Sequence, residues 1–103
     1  MTTDEIKALI QRRRLQVLIH SCIYYVFSES LVTDEQWKQW ALELMRLQAE
    51  HPDLAGQVVY AAEFQGFDPS TGYHLPIREP DVMNRALHLI RYHDLGGRHA
   101  KDT

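Results

Sequence analysis

The chain has a single cysteine, Cys22, so no intrachain disulfide can brace it, and this usage suits a reducing compartment. It has no surplus of positive charge: eleven basic and fourteen acidic residues give a formal net charge of −3. Non-specific nucleic-acid binding depends on many Lys/Arg–phosphate contacts, so direct binding to nucleic acid is not expected. No apolar run approaches the roughly 20 residues that a membrane-spanning helix needs. The N-terminus is polar and acidic, unlike a signal peptide, and a cytoplasmic location is the expectation. No Gly-rich phosphate loop precedes a helix, and no Cys/His pattern has zinc-ligand spacing. There is no internal repeat and no low-complexity block.

What is present reads as helix. With 103 residues and 45% hydrophobic content, the chain suits one packed domain, residues 1–97, followed by a mobile tail at 98–103. Thr3 with Asp4 and Glu5 suits a helix start. Ile6, Leu9 and Ile10, then Leu15, Leu18, Ile19, Cys22 and Val26, recur at helical spacing and predict one long helix to about Phe27. Thr33-Asp34-Glu35-Gln36 is a capping-box pattern opening a second helix with Trp37, Trp40, Ala41, Leu44 and Leu47 on one face. That helix should stop before Pro52, because proline disfavours helical geometry in the preceding residue. A short helix is predicted over residues 53–64, then an irregular stretch from Gln65 to Pro76. Pro80-Asp81 opens a last helix carrying Val82, Ala86, Leu89 and Ile90, with Gly96-Gly97 as its stop. The fold class is therefore all-α: a long helical hairpin, a short helix, and a C-terminal helix packed across the hairpin. The expected core comprises Ile10, Leu18, Cys22, Val26, Trp37, Ala41, Leu44, Leu47, Val82, Ala86 and Ile90.

Some residues admit both a chemical and a structural reading. Arg12-Arg13-Arg14 spread over about 200° of a helix, so the three cannot face one partner. One should meet an acid on a neighbouring helix; the alternative is a phosphate contact with Arg85 and Arg91. His20, within the apolar part of the first helix, suits a hydrogen-bonded core histidine, or else a ligand-facing one. Cys22 on an apolar helix face reads as packing. Asp68, Ser70, Thr71, Tyr73 and His74 form a polar loop. Asp68 and Ser70 can bond their own backbone, and the loop becomes the lid of a pocket if it folds over Tyr24 and Tyr25.

One stretch is more specific. Tyr24-Tyr25-Val26, then Val32-Thr33-Asp34-Glu35 with Trp37, then Glu50-His51-Pro52-Asp53-Leu54, resembles the small N-terminal helical subdomain of bacterial NAD-dependent DNA ligases. In that family the subdomain holds the nicotinamide mononucleotide half of NAD during self-adenylation. The resemblance covers roughly residues 12–54 and implies a nucleotide pocket or a reused scaffold. By it, Tyr24 falls where an aromatic stacks on the nicotinamide ring, Tyr25 on the next position, and Asp34 on an aspartate that orients the ligand. Trp37 stands in place of a tyrosine, keeping a stacking face but losing the phenol. Lys38 stands in place of a second aspartate, reversing the charge. The implied ligand is NMN or NAD. The lysine nucleophile of a ligase sits in a Lys-x-Asp-Gly context, and none of Lys7, Lys38 or Lys101 does, so the chain is expected not to be an enzyme.

The pattern as a whole also looks like short phage and prophage proteins described as DNA-ligase-like. It shares with them Arg12-Arg13-Arg14, the His20–Tyr25 run, Phe67-Asp68-x-Ser70-Thr71-Gly72 and Arg91-Tyr92-His93. That implies a non-catalytic accessory role. The partner is then a nicotinamide-type nucleotide, or a host or phage protein of DNA metabolism or defence if the nucleotide site is lost. Assistance in trans to a nucleic-acid enzyme is a third reading. A homodimer is expected if the aromatics leave an apolar patch exposed.

Overall fold

The computed structural model contains four helices: α1 (Thr3–Tyr25), α2 (Asp34–Glu50), α3 (Pro52–Ala55) and α4 (Pro80–Asp102). It describes the backbone of residues 1–102 and the side chains of residues 1–95, with no strand among them. Helix α1 begins one residue earlier than the sequence suggested. Thr2, not Thr3, is its cap: the Thr2 hydroxyl accepts from Glu5 N–H, and Glu5 Oε1 accepts from Thr2 N–H, both at 3.2 Å. The helix ends at Tyr25, and Ser28 takes φ 55°, which lets Glu29 N–H reach back to Ile23 O at 3.0 Å. Thr33 caps α2 by accepting from Gln36 N–H at 3.0 Å, and α2 stops at Glu50, just ahead of Pro52.

Helix α1 is the spine. It packs against α2, α3 and α4, whereas α4 packs on no other helix among the described residues. The C-terminal helix packs on the hairpin through its α1 arm. The core gathers Ile10, Val17, Leu18, Cys22 and Ile23 of α1, Ala41, Leu44 and Leu47 of α2, and Val82 and Ala86 of α4. Phe64, Leu75 and Ile77 join it from the irregular stretch. Val26, Trp37 and Ile90, expected inside, are only partly buried at its edge.

The predicted helix over residues 53–64 is the main departure. Regular helix ends at Ala55, and a series of turns follows. Buried Arg14 accounts for this. Its guanidinium donates to Ala55 O at 2.9 Å, Val58 O at 3.0 Å and Val59 O at 3.1 Å, and its Nε donates to Gln48 Oε1 at 3.0 Å. A continuing helix would need those carbonyls for its own i to i+4 ladder. Tyr60, at φ 68°, completes the break. Helix α4 runs on through Gly96-Gly97, where a stop was predicted. A glycine in a helix costs only about 1 kcal/mol and is not a stop by itself. Residues 98–102 of the expected mobile tail belong to α4; their side chains, and Thr103, lie outside the described residues.

Candidate functional site

The link between α1 and α2 leaves a cleft of about 370 Å³ at the closed end of the hairpin. Tyr24 and Tyr25 line it from the last turn of α1, and Asp34, Trp37 and Lys38 from the first turns of α2. All five residues singled out by the ligase-like pattern thus share one cavity. Leu31, Val32 and Thr33 of the link line it too. The third wall is Pro69, Ser70, Thr71 and Gly72, so the polar loop does fold over the tyrosines.

Trp37 and Tyr25 are held in place by hydrogen bonds. The Trp37 indole N–H donates inward, to Val17 O at 3.3 Å and Ser21 Oγ at 3.2 Å. The Ser21 hydroxyl in turn donates to Val17 O at 2.6 Å. Trp37 therefore offers the cleft ring surface and no free donor. The Tyr25 hydroxyl lies 3.1 Å from Thr71 Oγ1, and its ring sits edge-on between Tyr24 at 4.9 Å and Tyr73 at 5.3 Å. Tyr24 is 56% exposed. A mobile ring would lose freedom on binding, whereas Trp37 and Tyr25 are fixed beforehand.

The loop owes its approach to Gly72. A Cβ there would collide with Ser21 Oγ, lie 2.7 Å from Ser21 Cβ and 3.3 Å from Trp37 Cζ2. Only a residue without a side chain lets the loop lie on α1 and the indole at once. Asp68 Oδ1 accepts from Ser70 N–H at 2.9 Å, the local turn expected of it, and that bond holds the Asp68 carboxyl below its ordinary pKa.

Charge is distributed unevenly around the cavity. Asp34 is the first residue of α2, with Thr33 rather than Asp34 serving as the cap. Asp34 and Lys38 are both exposed at the rim, and neither has an ion-pair partner within 4.0 Å among the described residues. His20 lies deeper, its ring 5.3 Å from that of Trp40. Of its two readings, a hydrogen-bonded core histidine or one facing the cleft, the first is not met at Nδ1, which is buried without a partner, and the ring lines the cleft. Burial accordingly holds its pKa below the usual value, favouring the neutral ring.

The other candidates lie elsewhere. Arg13 pairs with Glu43 of α2 at 3.0 Å, as expected for one member of the arginine run. Arg14 is 2% exposed and holds the chain's own carbonyls. Its position could have betrayed it: it lies four residues from both Ile10 and Leu18, on the buried stripe of α1. Cys22 is buried, and burial raises its thiol pKa, which suits packing rather than nucleophilic attack. Among the described residues no group of three or more His, Cys, Asp or Glu could hold a metal ion, and no helix is long and apolar enough to cross a membrane.

Comparison with known proteins agrees with the ligase-like pattern over part of the chain. A DNA ligase of Desulforamulus reducens is 35% identical over 52 residues, which is 50% of this chain and 8% of the ligase. A DNA ligase of Fervidobacterium nodosum is 28% identical over 54 residues, 52% of this chain and again 8% of the ligase. The chain is thus similar, over half its length, to a small fraction of these enzymes. No family model matches it, and no solved structure does.

Proposed function

We propose that this chain is a non-catalytic accessory module that binds a nicotinamide-type nucleotide in the cleft between α1 and α2. One observation carries the reading: Tyr24, Tyr25, Asp34, Trp37 and Lys38, which the ligase-like pattern selected from sequence alone, line a single cavity. A volume of about 370 Å³ falls within the range usual for small-molecule sites. Fixed aromatic surfaces suit a planar ring, and Asp34 is free to accept from an amide or a ribose hydroxyl. The phage-type context implied by the wider sequence pattern makes the module an accessory to DNA metabolism rather than a ligase.

The test is an NMR titration of labelled protein with nicotinamide mononucleotide, NAD and ADP-ribose in parallel. Saturable shifts centred on Tyr24, Tyr25, Asp34 and Trp37 are expected. No shifts at millimolar ligand would remove this reading.

A protein-interaction module is the second reading, acting on a host or phage protein of DNA metabolism or defence. Tyr92 and Leu95 of α4, at 77% and 62% exposure, favour it, because large apolar side chains open to water suit a partner's surface or a second copy. Capture of a specific partner that survives Asp34→Ala but is lost on Tyr92→Ala would support it.

A further inference from the structure

We infer that the cleft selects an amphoteric nucleotide, with Lys38 taking the phosphate and Asp34 taking a cationic or amide-bearing base and its ribose. This rests on the nucleotide reading and sharpens it by assigning a chemistry to each end of the site.

Trp37 N–H and the Tyr25 hydroxyl are already engaged within the fold. They can supply surface but little polar discrimination. The two full charges at the rim are not engaged: Asp34 and Lys38 line the same cavity, and neither forms an ion pair among the described residues. They stand four residues apart on α2, one turn and about 6 Å along its axis. Acid and base in that arrangement commonly meet, but at an exposed helix surface their attraction is slight. Separating them for a ligand therefore costs little.

A ligand that inserts between the two meets opposite demands at its two ends. A phosphate monoester carries about −1.5 to −2 charges near neutral pH and suits the Lys38 ammonium. A pyridinium or carboxamide suits the Asp34 carboxylate, over the aromatic surfaces of Tyr24 and Trp37. A nucleoside without phosphate gains only the second contact. If its base is cationic, it also meets a like charge at Lys38. Lys38 thus acts as a specificity-determining residue that makes the phosphate a requirement. Both charges are exposed, so the preference should shrink as salt screens them.

The experiment titrates the full chain with nicotinamide mononucleotide, nicotinamide riboside and ribose 5-phosphate, following amide shifts of α2 at low ionic strength. The mononucleotide should bind about fivefold to tenfold tighter than the riboside, the scale of one charge-assisted hydrogen bond at a solvated site. Ribose 5-phosphate should be weaker than the mononucleotide. Lys38→Glu should abolish or invert the preference, and Lys38→Arg should keep it. The spectrum without ligand checks that each variant is folded. Equal binding of mononucleotide and riboside, or a preference that survives Lys38→Glu, overturns the inference and leaves the nucleotide reading standing. Ribose 5-phosphate binding as well as the mononucleotide reduces the site to an anion patch and also overturns it. If no ligand moves the cleft residues, both the inference and the nucleotide reading fall.

Discussion

At the open end of the α1–α2 hairpin, Arg14 points inward and commits its guanidinium to Gln48 and the carbonyls of Ala55, Val58 and Val59. At the closed end, one or two turns from the link, Asp34 and Lys38 face a cavity with no ion-pair partner among the described residues. Both ends carry charge on the same two helices, but the first uses it to fix the chain's own backbone and the second leaves it available. A buried cation whose every nitrogen is hydrogen-bonded within the fold is a structural device. Unpaired rim charges beside fixed aromatic rings have the character of a binding site. The same contrast explains why Arg14, despite lying in a basic run, needs no phosphate to account for it.

The largest effect is expected at the open end of the hairpin. Arg14→Ala leaves the buried Val58 carbonyl without a donor and the Ala55 carbonyl with only the 3.5 Å contact from Val58 N–H. It should destabilise the fold by about 3 kcal/mol, since each unsatisfied buried group costs about 1–3 kcal/mol. For a domain of this size that lowers the melting temperature by about 15 °C, measurable by circular dichroism. A loss no larger than that of an exposed arginine such as Arg12→Ala would show that the carbonyl contacts are incidental. Gly72→Ala comes next. The new methyl meets Ser21 and Trp37, so overpacking should cost about 2 kcal/mol. It should also break the Tyr25–Thr71 contact, seen as loss of nuclear Overhauser effects between those residues. Adding Ser21→Ala should restore only part of the loss, because Ser21 Cβ is itself 2.7 Å from the introduced atom.

At the binding end the expected effect is smaller and of another kind. Asp34→Ala should weaken nicotinamide mononucleotide about tenfold, or about 1.4 kcal/mol, while altering stability by less than about 1 kcal/mol, since Asp34 is exposed and contributes mainly to the helix dipole. Calorimetric titration and a thermal melt of the same sample separate the two. A matching drop in stability would make Asp34 a structural residue. The smallest effect concerns His20. Its folded pKa is depressed by burial, so the unfolded chain takes up the proton first as pH falls. The stability His20 contributes is therefore intact above about pH 6.5 and declines as pH falls below that value toward the folded pKa. His20→Phe should lose less melting temperature than the parent protein between about pH 7.5 and pH 5.5.

How much of this was legible in the sequence follows from how local each signal is. The Thr33 cap, the stop at Pro52 and the start at Pro80 depend on neighbouring residues and were readable as such. The hairpin followed from apolar spacing in Ile10, Leu18, Ala41 and Leu44. The overextended third helix failed for the opposite reason. Residues after Ala55 have helical composition, but a side chain more than 40 positions away takes their carbonyls. The cleft was half legible. Its two helical walls were named from the ligase-like residues, and the third wall was anticipated only as a loop that would form a lid if it folded over the tyrosines. Nothing local to Gly72 says that it will lie against Ser21 and Trp37. The orphaned Nδ1 of His20 is likewise a property of packing.

The two tryptophans occupy separate surroundings, Trp37 in the cavity wall against Gly72 and Trp40 with its ring 5.3 Å from His20. Indole emission depends on what lies beside the ring, so the protein carries two intrinsic optical gauges. With Trp40 replaced by phenylalanine, the remaining signal reports the state of the cleft wall and the seating of the loop. With Trp37 replaced, it reports the charge state of the imidazole behind it. Events at the cleft wall and at the imidazole can then be followed by separate reporters in one small protein, without attaching a dye.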